Sequence, residues 1–439
     1  MRLLRSAPTE PVPTPTKKSR PWVRRTLWTV LAVILAAAAG FGAIIGVAVL
    51  TDKPALFLVA GLLGFALSNA VGISLTTKSV RRGGRITTYV LTTLVVVAAV
   101  VFSSVPRGHP HDVAAPVAGM RYWDLPTGSR LAYVKLPASG TRRSTPVIVL
   151  HGGPGVADLA GYARYFRPLT DDGFDVYVYD QVGSGHSGRL TDPSNYTLAR
   201  NVADLEAIRR TIGARSVSLV GDSYGALLGA AYLAKYSHYV THAVFASPAD
   251  LDPGKFSVST IGRLSNGQIR GLVGQLVRPR ALLAYTLLQV NPQAAHNFAG
   301  DAEMDNRFDD VYQQSAAALH CKGDRLPPKL RGLGYYANQF PQSAAAAPHA
   351  DIRPELRRVA TPTLVIKGSC DYMSWSSAVG YLHALPHSTL EYVHHAGHDM
   401  YADQPGQVLA LIRAFLGDRI LPQQPYAGTR KPGDYQGPN

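Results

Sequence analysis

Three uncharged apolar runs fill most of the first hundred residues: LWTVLAVILAAAAGFGAIIGVAVL at 27–50, ALFLVAGLLGFALSNAVGISL at 55–75 and ITTYVLTTLVVVAAVVFSS at 86–104. Each is long enough to cross roughly 30 Å of hydrocarbon as a helix. A buried core helix does not explain three such runs in succession, and a cleaved signal peptide would account only for the first. The sequence therefore predicts three transmembrane helices. Small residues at helical spacing, Gly42 with Gly46 and Ala60 with Gly64, suit close helix packing. No acidic or basic side chain lies within a span, so ion or proton transport is not indicated and the runs read as an anchor.

The basic charge follows the same geography. The chain has a formal net charge of +15, and residues 1–105 carry twelve Lys and Arg against two acids. Most of the basicity is thus a topology signal rather than a nucleic-acid footprint, and no nucleic-acid partner is expected. Seven basic residues precede the first span and four lie in TTKSVRRGGR between the second and third, whereas the TDKP loop has one. Lys and Arg collect on the cytoplasmic side, which puts residues 1–26 and the second loop inside. Three crossings then put everything beyond about residue 105 outside. The expected protein is multi-pass in the cell membrane, with the lipid bilayer as partner and an extracytoplasmic soluble region. The parity holds only if all three spans are real.

Residues 105–119 (VPRGHPHDVAAPVAG) read as a linker, and the Pro/Gly-rich 421–439 as a disordered tail. Between them strand and helix patterns alternate, which predicts an α/β domain with a mainly parallel sheet. RYWDLPTGSRLAYVKLP reads as an opening hairpin; PVIVLHGGPG, FDVYVYDQVGSG and SVSLVGDSYG are buried strands running into glycine-rich turns. VTHAVFASPAD, TPTLVIKGSCD and STLEYVHHAGH are further strands that end in polar residues. Residues 251–345 break the alternation and read as a mostly helical cap inserted into a core of 120–250 and 346–420.

The stretch GDSYG (221–225), after a strand and before a helix, is a nucleophile elbow with Ser223 at its apex. A serine hydroxyl needs a base, and the base an orienting acid. In this strand–turn–helix context the expected chain order is Ser, then Asp or Glu, then His. Asp371 and His398, each immediately after a late strand, satisfy it. His394 and His395 are rival bases within or at the end of the strand YVHH, and Asp250 is a rival acid. A tetrahedral intermediate needs backbone N–H donors. One is expected from Tyr224, the other from the loop HGGPG (151–155), at Gly153 or Gly152.

HGGPG, DQVGSGHSG, GDSYG and the late GSCD and AGHD together resemble the prolyl aminopeptidase (proline iminopeptidase) branch of the α/β-hydrolases, over roughly residues 120–420. The resemblance implies an eight-stranded sheet with a helical cap after the sixth strand. It also implies a Ser223–His398–Asp371 triad acting through an acyl-enzyme, without a cofactor. Members mostly remove N-terminal residues, often proline, from peptides and hold the substrate amine with carboxylates. Here the cap's acidic cluster GDAEMDNRFDDVY offers Asp301, Glu303 and Asp305, with Asp309 and Asp310, although a solvated helix face is the commoner meaning of such spacing. The expected function is a membrane-anchored serine aminopeptidase. An esterase or lipase acting on small lipophilic esters is the alternative, and a non-catalytic binding module the third reading.

GSGHSG (183–188) matches a dinucleotide fingerprint, but RLTDPSNYT follows it where a helix should open, so Asp180 is expected only to hold that loop. Cys321 and Cys370 are either free thiols or, outside the cytoplasm, a disulfide tying the cap to the acid loop. HHxxH at 394–398 lacks a third ligand, so no metal is expected.

Overall fold

The computed structural model of the chain describes residues 21–78, 80–105, 114–253, 260–324 and 326–439. The expected cytoplasmic stretch up to residue 20 and most of the expected linker lie outside these residues. The chain divides into two compact units, one of residues 1–51 with 55–104 and one of residues 52–54 with 105–439.

The first unit is three helices, α1 (Pro21–Ala48), α2 (Pro54–Thr76) and α3 (Arg82–Ser104). All three are long and apolar enough to cross a membrane. Glycine brings α1 and α2 together, though only in part at the expected positions. Gly42 and Gly46 face open space, while a Cβ on Gly61 would lie 2.3 Å from Ile44 Cγ1 and one on Gly72 2.8 Å from Ala32 Cβ. Gly64 of the expected Ala60–Gly64 pair does face α1, with its Cβ position 3.0 Å from Ala43 Cβ. Asn69, fully buried on α2, donates to Thr92 Oγ1 at 2.8 Å and Thr93 Oγ1 at 3.2 Å on α3. A buried amide N–H left unpaired is costly, so these bonds favour the meeting of these two faces.

The second unit is built on eight strands. They are β1 (Arg121–Asp124), β2 (Arg130–Leu136), β3 (Val147–Leu150), β4 (Val176–Tyr179), β5 (Val217–Asp222), β6 (Val240–Ala246), β7 (Thr363–Gly368) and β8 (Ser388–Val393). Their order is β1-β2-β4-β3-β5-β6-β7-β8, antiparallel at β1–β2 and β2–β4 and parallel from β4 onward. The parallel strands read as continuous apolar runs because helices cover both faces; every residue of VIVL and VYVY is buried. The covering helices include α4 (Leu159–Phe166), α5 (Leu198–Thr211) and α6 (Tyr224–Tyr236). Val149, Val178, Val220, Val244 and Ile366 form the centre of the core, with Leu411 and Ile412 of the last long helix packed against them.

Between β6 and β7 lie α7 (Asn266–Leu276), α8 (Pro279–Val290), α9 (Pro292–Phe298), α10 (Asp301–Ser315), α11 (Tyr335–Gln339) and α12 (Arg353–Leu356). After β7 come α13 (Trp375–Ala384), β8, α14 (Met400–Asp403) and α15 (Pro405–Leu416).

The C-terminal segment differs from expectation. Residues 421–439 contain no helix or strand, yet they are fastened to the sheet's β7–β8 edge rather than disordered. Tyr426 N donates to Leu390 O at 2.7 Å, Gln436 N to Ser369 O at 2.8 Å and Trp375 Nε1 to Thr429 O at 2.9 Å. Tyr426 and Tyr435 pack edge-on to Trp375. Two tyrosines with an aromatic partner outweigh the Pro/Gly composition around them.

The sharpest packing constraint sits at the elbow. A Cβ on Gly225 would fall 2.0 Å from Leu150 O. Gly225→Ala is therefore expected to cost more than about 3 kcal/mol or to prevent folding; an unchanged thermal midpoint would contradict this close approach of α6 to β3.

Candidate active site

Ser223 stands between the end of β5 and the first residue of α6, at φ 52° and ψ −118°. A side chain larger than glycine's rarely adopts this region, and it persists only where neighbours over-determine it. They do so here. Ser223 N donates to Ala246 O at 3.0 Å on β6, and Ser223 O accepts from Ala249 N at 3.1 Å. The parallel neighbour thus holds the serine outward, above the sheet. Tyr224 opens α6, so its N–H is among the first-turn donors that lack an intrahelical acceptor.

The loop HGGPG lies directly against the serine. A Cβ on Gly152 would be 3.1 Å from Ser223 Cβ, and Gly153 has φ +116°. His151 fixes this loop. Its Nε2 accepts from Gln181 N at 2.8 Å, which leaves Nδ1–H to donate to Gly152 O at 2.8 Å. Burial lowers the imidazole to about 4, keeping it neutral for this paired role. Gln181 Nε2 returns a bond to His151 O at 2.7 Å, and Gly334 N and Asn338 Nδ2 hold Gly155 O and Pro154 O. Asp180 accepts from His186 N at 2.9 Å, the loop-holding part expected of it.

Of the rival acids and bases, the structure brings Asp371 and His398 together. His398 Nδ1 pairs with Asp371 Oδ1 at 2.8 Å, leaving Nε2 for another partner. Asp371 is fully buried. Burial would raise its carboxyl, but the Lys367 ammonium and the His398 ring outweigh that and hold it well below the usual carboxylate range. Asp250 instead accepts from Asp252 N. His394 is exposed and pairs with Asp434, and His395 is exposed beyond the end of β8, so neither competes with His398. The three histidines diverge, and HHxxH makes no common ligand point. Among the described residues no hydrogen bond links Ser223 Oγ to His398, a contact that often closes only with substrate bound.

The segment 319–321 from the cap is stapled to both late loops. Cys321 and Cys370 are joined in a disulfide beside Asp371. His398 N donates to Leu319 O at 2.6 Å. Asp403 ties the same segment in: it pairs with His320 Nδ1 and accepts from Gly397 N, both at 2.6 Å. With its sulfur in the disulfide, Cys321 offers no thiolate to the nearby Asp324 and Asp403 as a metal ligand.

The acidic cluster on α10 is largely consumed by internal partners. Glu303 is held by Arg280 and Arg307, Asp301 by His296. Asp305, almost fully buried, pairs with Arg189 at 2.9 Å and accepts from Tyr335 N at 2.8 Å. Burial lifts its carboxyl to about 7 in spite of Arg189. Asp309 accepts from Gly332 N and Leu333 N. The periodicity that suggested a binding face is the periodicity of a helix facing Arg189 and the 332–335 segment.

Nothing in the sequence marked Lys367, His320 or Asp403, and HGGPG pointed to its glycines rather than to the bracing role of His151, because their partners are distant in the chain or lie on another loop. Asp222 occupies a variable position of the elbow. Its Oδ1 accepts from Tyr162 OH at 2.8 Å, and burial pushes it up to about 7 against that bond and His398.

A profile of the α/β hydrolase fold matches residues 145–405, more than half of the chain. The chain belongs to the α/β-hydrolase fold family. Proline iminopeptidases are among the relatives it resembles, and the chain is a serine hydrolase of this fold. It is 26% identical to the proline iminopeptidase of Heyndrickxia coagulans over 310 residues, covering 66% of this chain and 96% of the relative. Identity to the Elizabethkingia meningoseptica proline iminopeptidase is 25% over 245 residues, 53% of this chain and 76% of the relative. The crystal structure of the Mycobacterium smegmatis proline iminopeptidase aligns with a TM-score of 0.44 at 21% identity, covering 68% of this chain and 98% of that one.

The disulfide closes a sequence separation of 49 residues. Replacing both cysteines of this α/β-hydrolase by serine is expected to cost about 2–4 kcal/mol. Alkylation without reduction, read by mass spectrometry, should find neither thiol; full labelling of both in the native protein would contradict the pairing.

Proposed function

We propose that the protein is a membrane-anchored serine hydrolase in which Ser223, His398 and Asp371 act through an acyl-enzyme. The observation that carries the reading is the His398–Asp371 bond beside a serine held at positive φ. His398 Nε2 takes the Ser223 hydroxyl proton as Oγ bonds to the substrate carbonyl carbon. It then gives that proton to the leaving amine or alcohol as the scissile bond breaks. Water repeats the cycle on the ester, releasing the acid and restoring Ser223. Asp371 orients the ring and stabilises the imidazolium, while the N–H groups of Tyr224 and of Gly153, or Gly152, receive the oxyanion.

The three apolar helices serve as the anchor, and the Lys/Arg distribution favours an outward-facing hydrolase domain. A structural disulfide supports that side, since such bonds persist in oxidising compartments.

Release of N-terminal residues from peptides is the leading substrate class, because the relatives are proline iminopeptidases. The ion-paired state of Glu303 and Asp305 favours a second reading, an esterase on small lipophilic esters, since carboxylates already neutralised by arginine are poor amine acceptors. Asp301, paired among the described residues with His296 rather than with an arginine, is the cap carboxylate best able to receive an amine.

The full chain in nanodiscs, with Ser223→Ala as control, separates the two. Cleavage of prolyl and other aminoacyl-coumarin amides, lost when the amine is acetylated, is the expected result, with Ser223→Ala at least about a thousandfold slower. Ester cleavage alone would favour the second reading, and turnover unaffected by Ser223→Ala would contradict both.

A further inference from the structure

Lys367 is the last side chain of β7 before Gly368, and both it and Asp371 are fully buried. Its Nζ donates to Asp371 Oδ2 at 2.7 Å, while Oδ1 of the same carboxylate takes His398 Nδ1 at 2.8 Å and Met373 N at 3.0 Å. The carboxylate is thus divided, one oxygen for a cation and the other for the imidazole. We infer that Lys367, sealed under the C-terminal segment, is a positioning residue that fixes Asp371 and through it tunes His398. The inference rests on the triad reading above.

A lysine that only filled space here would be an expensive choice, since burying an ammonium is unfavourable unless it is paired. The pairing is specific, and the remaining polar partners of the ammonium are neutral and longer. From α13, Ser377 Oγ lies 3.4 Å from Nζ, and the Met373 carbonyl lies at 3.5 Å. From the C-terminal segment the Tyr435 ring centre lies 5.8 Å away. Burial pulls the Lys367 ammonium below its ordinary value, and Asp371 beside it, with Asp250 after β6 at longer range, acts against that. Arg263, from the cap side, interacts electrostatically with Asp371, and His398 has the Tyr372 ring at 4.4 Å, with Asp222 and Asp399 within its electrostatic reach.

The segment 434–438 closes this chamber. Tyr435 OH donates to Met373 O, Gln436 N to Ser369 O and Trp375 N to Pro438 O. A Cβ on Gly437 would fall 2.3 Å from Asp371 O, so the chain passes immediately behind the acid. Tyr435 is 6% exposed. With water excluded, the ammonium's field on the carboxylate is weakly screened.

The consequence for His398 has a definite sign. A cation on the far oxygen reduces the negative charge that Asp371 offers the ring, so imidazolium is less stabilised than by Asp371 alone. Neutralising Lys367 raises the pH at which His398 loses its proton; a purely structural lysine would lower stability without moving that pH.

The test reads His398 without requiring turnover. The full chain in nanodiscs is acylated with diethyl pyrocarbonate from pH 5 to 9, and the rate at His398 is followed by peptide mass spectrometry. Lys367→Met is expected to raise the half-rate pH by about half a unit or more, with Lys367→Arg close to the parent. Tyr435→Ala, which opens the chamber and leaves the pair intact, should shift it in the same direction by less, and it serves if Lys367→Met does not fold. An unmoved half-rate pH in Tyr435→Ala and in folded Lys367→Met would overturn the proposal, as would an equal shift in Lys367→Arg. Loss of Ser223-dependent hydrolysis in the parent would count against the catalytic reading alone, since the His398 titration stands without it.

Discussion

Asp371 carries a charge in a place where water cannot reach it, and much of the hydrolase unit is arranged around that fact. Its oxygens are shared between Lys367, His398 and the Met373 N–H. Each partner comes from a different requirement of the fold. Lys367 arrives because β7 ends there, His398 because β8 delivers the following loop, and Met373 because the acid's own turn folds back. Removing any one partner leaves a buried group short of bonds, which costs more than the bond gave. The cap segment 319–321 and the C-terminal segment are then fastened to the same loops by the disulfide and by main-chain bonds. The acid is consequently a junction between sheet, cap and C-terminus.

The serine is positioned by the opposite device, crowding rather than charge. Gly221 and Gly225 let β5, α6 and β3 approach until no Cβ fits, and the turn between them can only be made with Ser223 at positive φ. The glycine loop lies against it, braced by His151 and Gln181 from below and by Gly334 and Asn338 from the cap. Preorganised donors of this kind reorganise little when charge develops.

The parts of this arrangement that were legible in the sequence are those governed by local rules. Apolar runs and their flanking charges mark the three helices, and strand–turn–helix spacing marks the elbow. Chain order admitted both Asp371 and Asp250, which only the His398–Asp371 bond separates, while loop position favoured His398 over His394 and His395. What failed depended on partners far away in the chain. The 421–439 segment reads as disordered until Trp375 is seen to be waiting for Tyr426 and Tyr435. The α10 carboxylates suited either a binding face or a solvated one, and neither reading anticipated that Arg189, Arg280 and the 332–335 amides hold most of them. Lys367 sits four residues from Asp371 and looked like the polar end of a strand. The pairing of Cys321 with Cys370 could not be decided from two cysteines alone.

The central claim is that Ser223 is an activated nucleophile, and a fluorophosphonate tests it most directly because no substrate need be known. The intact mass of the full chain in nanodiscs, followed by peptide mapping, should show one adduct, on Ser223. It should be absent from Ser223→Ala and form far more slowly in His398→Gln. An adduct on another residue, or none on the folded protein, would contradict the account.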